Sequence, residues 1–231
     1  MADFTFAHRE EGFDEHIDGS IRGYSNLLDD VVSLSRYFVE DDTNVYDLGC
    51  STGKVTKRLI QENWDHCKRA NWIGIEIADG FDANLVKRER EILRWEANSY
   101  VSFIKEDVRD SNIENASFIT SLFTLQFMPP KDREETIKKI YKGLNKGGAF
   151  IFSEKTICEN AKFQDMLTFN YYDYKRKTFS TEDIMDKERT LRHMMKPNTW
   201  NELLSMLYDA GFSDVQPFWR NFMFVGAIAV K

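Results

Sequence analysis

Strand and helix signals alternate along residues 44–153, and this alternation constrains the fold more than any other feature of the sequence. Short apolar segments predict five strands, which are Asn44–Leu48, Trp72–Ile77, Tyr100–Lys105, Phe118–Phe123 and Ala149–Ser153. The helical patterns between them are Gly53–Gln61, Asp82–Ala97 and Lys131–Leu144. Strands that alternate with helices form a parallel sheet covered on both faces through right-handed crossovers. We therefore predict an α/β, doubly wound, Rossmann-like domain with a mostly parallel sheet.

The patterns change toward the carboxyl terminus, where two helical segments are followed by two strands. The helical patterns cover Glu159–Lys175 and Asn198–Ala210. The strands Ser213–Trp219 and Phe222–Val230 follow, joined by a tight link at Arg220-Asn221. So short a link predicts an antiparallel strand pair at the end of the sheet.

The first 40 residues predict a polar, partly irregular arm followed by a helix. Glycines at positions 12, 19 and 23 interrupt the arm. The apolar residues of NLLDDVVSLSRYF then have helical spacing, and Asn26 is the expected N-cap of that helix.

The composition is typical of one folded, soluble domain spanning residues 1–231. No Gly/Ser-rich linker divides the chain, of which 42% is hydrophobic and 30% charged. With 31 basic and 38 acidic residues, the net charge of −7 opposes direct binding of nucleic acid. Three cysteines without CxxC spacing and four scattered histidines indicate neither a disulfide framework nor a metal site. We expect a cytoplasmic protein with no signal peptide and no membrane-spanning segment.

A glycine-containing turn after the first strand is the strongest ligand-binding signal. The pattern D-x-G-x-x-x-G starts at Asp47, and Gly49, Cys50 and Ser51 form the turn before a helix opens near Gly53. Glycine lets the backbone approach a ligand, and we expect the backbone N–H groups of the turn to face that ligand. The spacing favours S-adenosylmethionine over a dinucleotide, whose pattern is G-x-G-x-x-G. Similar glycines occur in α/β proteins that bind neither ligand, and that interpretation stays open.

Acidic residues follow the next two strands. Glu76 ends the second strand and is placed to accept hydrogen bonds from both ribose hydroxyls. Asp107 and Val108 follow the third strand, where a carboxylate and a backbone amide would face adenine. A strand-end carboxylate and a turn-capping aspartate also explain these residues without a ligand. These positions therefore indicate a nucleoside site only in combination with the glycine turn.

These positions belong to a longer series of segments that resembles a known family. The segments are FDEHI, GYSN, VYDLGCS-x-G, ED-x-RD-x-x-IENAS, FTLQF, K-x-x-x-GLN-x-GGA, SEK and YKR, spread over residues 13–230. They are similar to those of carboxy-S-adenosyl-L-methionine synthases. The resemblance implies a class I methyltransferase fold that joins S-adenosylmethionine and prephenate, giving carboxy-S-adenosylmethionine and phenylpyruvate. It also implies a homodimer, and a partner enzyme that uses the product to carboxymethylate a tRNA wobble uridine.

The resemblance further implies which residues bind the ligand. They fall on Tyr24, Gly49, Cys50, Ser51, Glu76, Ile77, Asp107, Val108 and Arg189, with Asp47 in the same turn and Leu122 beside FTLQF. Arg189 is expected to pair with the new carboxylate of the product, because a guanidinium offers two parallel donors. Tyr24 and Arg189 are the expected catalytic residues, since the implied chemistry needs positioning and exclusion of water. Residues 156–210 would form a helical insertion on the substrate side. Its segment Tyr171–Lys177 mixes aromatic and basic residues, which indicates a solvated helix end or, under the resemblance, basic residues such as Lys175 and Arg176 that face prephenate.

The chain departs from the family pattern at ligand-binding positions. The family has Asp-Asn where this chain has Glu76-Ile77, and Asn where this chain has Leu122. A divergent synthase and a synthase with another second substrate both fit these departures. So do an S-adenosylmethionine-dependent methyltransferase acting on a small molecule or nucleic acid, and a non-catalytic subunit that binds carboxy-S-adenosylmethionine. Arg189 argues against the methyltransferase, because S-adenosylmethionine has no carboxylate at the position that this residue would contact.

Overall fold

The computed structural model describes residues 13–95 and 100–231, which contain one seven-stranded sheet of order β3-β2-β1-β4-β5-β7-β6. The strands are β1 (Asn44–Leu48), β2 (Asn71–Glu76), β3 (Tyr100–Lys105), β4 (Ala116–Leu122), β5 (Leu144–Lys155), β6 (Asp214–Asn221) and β7 (Phe224–Val230). Strands β1 to β5 pair in parallel, and β7 and β6 add to the edge in antiparallel pairing. The predicted doubly wound, mostly parallel sheet with an antiparallel pair at its end is confirmed.

Eight α-helices accompany these strands in the part of the chain that the structure describes. They are α1 (Phe13–Ser20), α2 (Tyr24–Ser35), α3 (Lys54–Asn63), α4 (Asp82–Trp95), α5 (Pro130–Gly143), α6 (Ala161–Lys175), α7 (Thr181–Met194) and α8 (Trp200–Ala210). Each helix predicted from apolar spacing corresponds to one of them. The predicted end of α4 at Ala97 lies outside the described residues. The amino-terminal arm, which we expected to be partly irregular, contains α1.

Strand β5 begins at Leu144, directly after α5 and five residues before the predicted start at Ala149. Two further boundaries differ from the prediction for local backbone reasons. Helix α2 begins at Tyr24 with Gly23 as its N-cap at φ +76°, so Asn26 lies inside the helix and does not cap it. The turn between β6 and β7 falls at Phe222-Met223, two residues later than predicted. Phe222 takes a positive φ of 49° there, which a tight hairpin turn requires of one of its residues.

The sheet separates two apolar clusters, because alternate residues of a strand point to opposite faces. On one face, Phe118 and Ile151 pack with α2 and α3. On the other face, Ile119 and Phe150 pack with α5 and α8. Strand β4 lies at the centre of the sheet, and all of its residues except the last are buried. Helices on both faces thus hold the central strands, whose carboxyl ends carry the candidate site.

Helix α1 contacts α6, α7 and the link between them. The His16 and Phe179 rings lie 5.1 Å apart, and the Tyr174 hydroxyl donates to the Asp18 carbonyl oxygen at 3.3 Å. The Lys187 ammonium contacts the His16 ring nitrogen. Residues of α1 and α7 line the same cavity as the carboxyl ends of the central strands, so these helices cover that edge of the sheet.

None of the helices in residues 13–95 and 100–231 combines the length and the apolar character needed to cross a membrane.

Candidate active site

A cavity of about 420 Å³, here called the cleft, opens at the carboxyl ends of β1, β2, β4 and β5. Doubly wound sheets bind ligands at this edge, where the strand order reverses between β1 and β4. The volume lies within the range of small-molecule sites. The cleft is lined by every expected ligand-binding residue except Arg189, that is, by Tyr24, Asp47, Gly49, Cys50, Ser51, Glu76, Ile77, Asp107, Val108 and Leu122.

The glycine turn passes very close to the loop that follows β4. Gly49 has φ +74°, and a Cβ at this position would lie 2.2 Å from Thr124 Oγ1. The Thr124 hydroxyl donates to the Leu48 carbonyl oxygen at 3.0 Å, which joins the two loops. Only glycine fits this conformation and this space. The close neighbour is Thr124 of the same chain, whereas the sequence pattern predicted a close approach to a ligand.

The backbone N–H groups of the turn are bonded differently from our expectation. We expected Cys50 and Ser51 to direct these donors at a ligand. The Cys50 N–H donates instead to the Ile75 carbonyl oxygen at 3.1 Å, and the Ser51 N–H donates to Glu76 Oε2 at 2.9 Å. The turn is therefore tied to the end of β2, and its donors orient the Glu76 carboxylate.

Glu76 is a buried carboxylate with capacity for further hydrogen bonds. Its Oε2 accepts from Ser51, and its Oε1 accepts from the Ala78 N–H at 2.8 Å. Burial raises the pKa of Glu76, while these backbone donors lower it. A carboxylate offers about four lone-pair positions, so capacity remains for a ligand. Ile77, the next residue, has 59% of its surface exposed and adds an apolar side to the same wall.

The Asp107 carboxylate is fixed at the end of β3 by an arginine. The Arg109 guanidinium donates to it at 2.6 Å and also pairs with Asp132 at 2.8 Å. Hydrogen bonds from Arg109 hold the pKa of Asp107 below its usual range, so this side chain is an ionised acceptor. Val108 is buried, and its carbonyl oxygen accepts from the Lys139 ammonium at 2.6 Å.

Asp47 supports the turn from beneath. Its carboxylate accepts from the Thr56 hydroxyl at 2.7 Å and from the Thr120 hydroxyl at 3.0 Å. Burial raises the pKa of Asp47 to about 6, although both hydroxyl donors act to lower it. The side chain thus links β1, β4 and α3 directly below the glycine turn.

Tyr24 and Cys50 line the cleft in their neutral forms. Burial, followed by the nearby Asp14, raises the pKa of the Tyr24 hydroxyl far above its usual range. Burial also raises the pKa of the Cys50 thiol, which disfavours a thiolate nucleophile there. Among the residues that the structure describes, no group of three or more His, Cys, Asp or Glu side chains is placed to hold a metal ion.

Arg189 lies outside the cleft of its own chain. Its side chain is 76% exposed and pairs with Asp186 on the same helix at 3.0 Å. The residues of α7 that line the cleft are Lys187 and Leu191, and Met195 lines it directly after the helix. Successive helical residues are about 100° apart, so Arg189 points to the opposite side of α7 from Lys187.

The basic residues expected to face a second substrate also lie elsewhere. Lys175 is buried, with its ammonium 5.2 Å from the Tyr171 ring centroid, and it does not line the cleft. Arg176 is bonded to Asp173 at 2.5 Å on the surface. The lysines that do line the cleft are Lys54, Lys155 and Lys187.

Two buried side chains, those of Glu154 and Arg133, hold the loop at residues 123–128, which contains the FTLQF segment. Glu154 accepts from the Leu125 N–H at 3.0 Å and from the Gln126 N–H at 2.7 Å. Arg133 donates to the carbonyl oxygens of Leu125, Gln126 and Met128 at 2.8, 3.0 and 2.9 Å. The two side chains satisfy the polar backbone groups of a buried loop, and we call them the loop clamp.

Our sequence reasoning did not identify the loop clamp, although one signal was present. Arg133 is four residues before Ile137 and seven before Ile140, which both pack in the core. It therefore occupies the buried face of an amphipathic helix, where an arginine requires buried partners. Burial raises the pKa of Glu154 to about 8, whereas the Gln126 N–H and the charge of Arg133 lower it.

Solved structures define the class of this fold. A methyltransferase-domain family matches residues 45–148. Human N-acetylserotonin methyltransferase in complex with S-adenosylmethionine has a TM-score of 0.58 and 16% identity, over 90% of this chain and 52% of that one. A cyclopropane synthase from Mycobacterium tuberculosis has a TM-score of 0.58 and 11% identity, over 80% and 61% of the two chains. This chain thus spans only about half to two thirds of those proteins, and it has the class I methyltransferase fold.

Curated relatives define the family within that class. A carboxy-S-adenosyl-L-methionine synthase from Staphylococcus epidermidis is 37% identical, over 95% of this chain and 92% of that protein. A protein of the same name from Escherichia coli K12 is 36% identical, over 100% of this chain and 92% of that protein. This chain belongs to the carboxy-S-adenosyl-L-methionine synthase family, and it is a transferase. The resemblance inferred from the motifs is confirmed.

Replacing Arg133 with methionine tests the loop clamp. We expect Arg133→Met to lower the free energy of unfolding by about 3–5 kcal/mol, because the buried carbonyl oxygens of Leu125, Gln126 and Met128 lose their donor. The matched control is Arg36→Met, whose side chain is 59% exposed and makes an ion pair with Glu62 at 3.3 Å. That control should cost no more than about 1 kcal/mol. Equal losses in urea unfolding of the two variants would show that the clamp contributes no special stability.

The raised pKa of Asp47 predicts a specific pH dependence of stability. Between the usual value of 3.8 and about 6, folded Asp47 binds a proton that the unfolded chain has lost. Its contribution to stability therefore falls as the pH rises through that window. In Asp47→Asn this loss is absent, so the variant should gain up to about 3 kcal/mol relative to the wild type between about pH 4 and about pH 7. Urea unfolding at several pH values measures this difference in stability. The control Asp30→Asn, at an exposed position on α2, should show the same pH dependence of the free energy of unfolding as the wild type. The same pH dependence of stability in Asp47→Asn and in the wild type would contradict the prediction.

Proposed function

We propose that this chain converts S-adenosylmethionine and prephenate into carboxy-S-adenosylmethionine and phenylpyruvate. The family relationship supports the proposal. The observation that carries it is a cleft with an acidic end at Glu76 and a basic end at Lys155. These residues end β2 and β5, which are three strand spacings, or about 14 Å, apart in the sheet. That span accommodates a nucleoside at one end and a second substrate at the other.

The proposed reaction balances from the two substrates alone. Prephenate loses its ring carboxylate as carbon dioxide and its ring hydroxyl as hydroxide while the ring becomes aromatic. The sulfonium methyl of S-adenosylmethionine loses a proton, which leaves with that hydroxide as water, and its carbon bonds to the carbon dioxide. The work of the chain is to hold the two substrates together and to exclude water.

The buried acceptors at the ends of β2 and β3 suit an adenosyl group. Glu76 would accept from the ribose hydroxyls through the lone pairs that the backbone leaves open. Asp107 and the Val108 amide would bind adenine. Tyr24 and Leu122 would face the reacting methyl group. In this proposal residues 1–231 work as one domain, with a helical substrate side at 156–210.

A homodimer would give Arg189 the role that the resemblance implies. Arg189 faces away from its own cleft, so we propose that it reaches the cleft of a second copy and pairs with the product carboxylate there. An apolar face on the neighbouring helix α6 supports such an interface. Phe163, Met166 and Phe169 are 59%, 50% and 64% exposed, at a spacing that places them on one side of the helix.

Later use of the product is part of the same proposal. A partner enzyme would transfer the carboxymethyl group to a tRNA wobble uridine in the cytoplasm. The chain itself has a net charge of −7, which opposes direct contact with RNA.

Mass spectrometry of the reaction products tests the proposed function. Purified protein incubated with S-adenosylmethionine and prephenate should form carboxy-S-adenosylmethionine and phenylpyruvate in equal amounts. Replacing S-adenosylmethionine with S-adenosylhomocysteine, which has no sulfonium methyl, should abolish the carboxylated product. Formation of S-adenosylhomocysteine with a methylated acceptor would instead establish a methyltransferase. Carboxy-S-adenosylmethionine that is bound but never formed would establish a non-catalytic carrier.

Mixing two inactive variants tests the shared site. Arg189→Ala and Glu76→Ala should each lose activity alone. If Arg189 acts on the partner's cleft, a mixed dimer has one intact site and one site with both defects. Random mixing makes half of the dimers mixed, so about a quarter of wild-type activity should return. No recovery after subunit exchange, confirmed by native mass spectrometry, would place Arg189 outside this role.

A further inference from the structure

Four aromatic rings form a continuous wall along the cleft. They belong to Tyr24, Phe123, Phe224 and Tyr171, and successive ring centroids are 6.2, 5.8 and 5.5 Å apart. All four residues line the cavity. Rings at these separations present an apolar surface that suits a flat or six-membered carbon ring. We call them the aromatic wall.

Lys155 places an ammonium group at the end of the aromatic wall. Its Nζ lies 5.6 Å from the Tyr171 ring centroid, and its backbone pairs with Phe224 across the sheet. The Lys155 N–H donates to Gln126 Oε1 at 2.8 Å, which fixes the main chain from the other side. With only 15% of the side chain exposed, this charge is largely removed from water, where pairing with an anion is strong.

Glu188 supplies the counter-charge of Lys155 but does not occupy the hydrogen-bond donors of its ammonium group. The Glu188 Oε2 lies 3.6 Å from the Lys155 Nζ, which is beyond hydrogen-bonding distance. The ammonium has three N–H donors, so donors remain for a ligand carboxylate. The other oxygen of Glu188 is buried and accepts no hydrogen bond from the described residues. Glu188 thus keeps Lys155 from being an unpaired buried charge, and it competes with an anionic ligand.

We propose that Lys155 binds the side-chain carboxylate of prephenate while the prephenate ring packs on the aromatic wall; this rests on the proposed function. Prephenate carries two carboxylates, and the one on the ring leaves as carbon dioxide. An ion pair to the departing carboxylate would stabilise the ground state and slow its loss. The side-chain carboxylate is retained in phenylpyruvate, so Lys155 holds it without opposing the reaction.

Binding of phenylpyruvate in the presence of saturating S-adenosylhomocysteine tests this assignment apart from turnover. Calorimetry should show that Lys155→Met weakens phenylpyruvate binding about 10- to 100-fold, the range for losing a hydrogen bond to a charged group. The affinity for S-adenosylhomocysteine should not change. Lys155→Arg should retain most of the phenylpyruvate affinity, and Glu188→Gln should increase it. Lys142→Met, at an exposed position near the end of α5, is the matched control and should bind like the wild type.

A second probe tests the aromatic wall. Pyruvate has the carboxylate but no ring, so it should bind the wild type at least about tenfold more weakly than phenylpyruvate. Equal binding of the two would overturn the role of the wall, and unchanged phenylpyruvate affinity in Lys155→Met would overturn the role of the lysine.

The two proposals fail in different ways. Phenylpyruvate binding that depends on Lys155 in a wild type that makes no carboxylated product would refute the proposed function and leave the carboxylate site standing. Product formation with the same KM for prephenate in the wild type and Lys155→Met would support the function and refute the site.

Discussion

The contact between Gly49 and Thr124 is the constraint on which the cleft depends. It presses the end of β1 against the loop after β4, at the point where the strand order reverses, and leaves no volume for a side chain at position 49. Gly49 and Ser51 both take positive φ to make this approach. The hydrogen bonds from Thr124 to Leu48 and from Ser51 to Glu76 offset that backbone cost. The ends of β1, β2 and β4 therefore face a gap of fixed width.

Three buried acidic side chains lie near the carboxyl ends of β1, β2 and β5, and they have different partners. Burial raises the pKa of Asp47, Glu76 and Glu154. Asp47 and Glu154 accept hydrogen bonds that order the protein's own strands and loops. Glu76 lines the cleft and can also accept from a ligand. Lys155 lines the same cleft at the end of β5, so the cleft has a carboxylate on one strand end and an ammonium on another.

Features encoded in local patterns were predictable from the sequence, and features created by tertiary contacts were not. The sheet and the residues at the ends of β1, β2 and β3 follow from apolar spacing, a glycine turn and strand-end acids. Helix α1 is only eight residues long and depends on contacts with α6 and α7, so its local sequence pattern did not predict a helix. The orientation of Arg189 depends on which face of α7 packs inward. The loop clamp joins Arg133 and Glu154, which no motif connects.

The loop clamp gives a structural reason for the FTLQF segment, which is one of the motifs that carry the family resemblance. Glu154 and Arg133 hold this loop through its main chain, and losing either side chain leaves buried backbone groups of the loop without a partner. Single replacements at these two positions are therefore hard to pass through during evolution. We expect the pair and its loop to be retained together in relatives with a different second substrate. FTLQF would then mark the scaffold, and a change of second substrate would be found at positions such as 155.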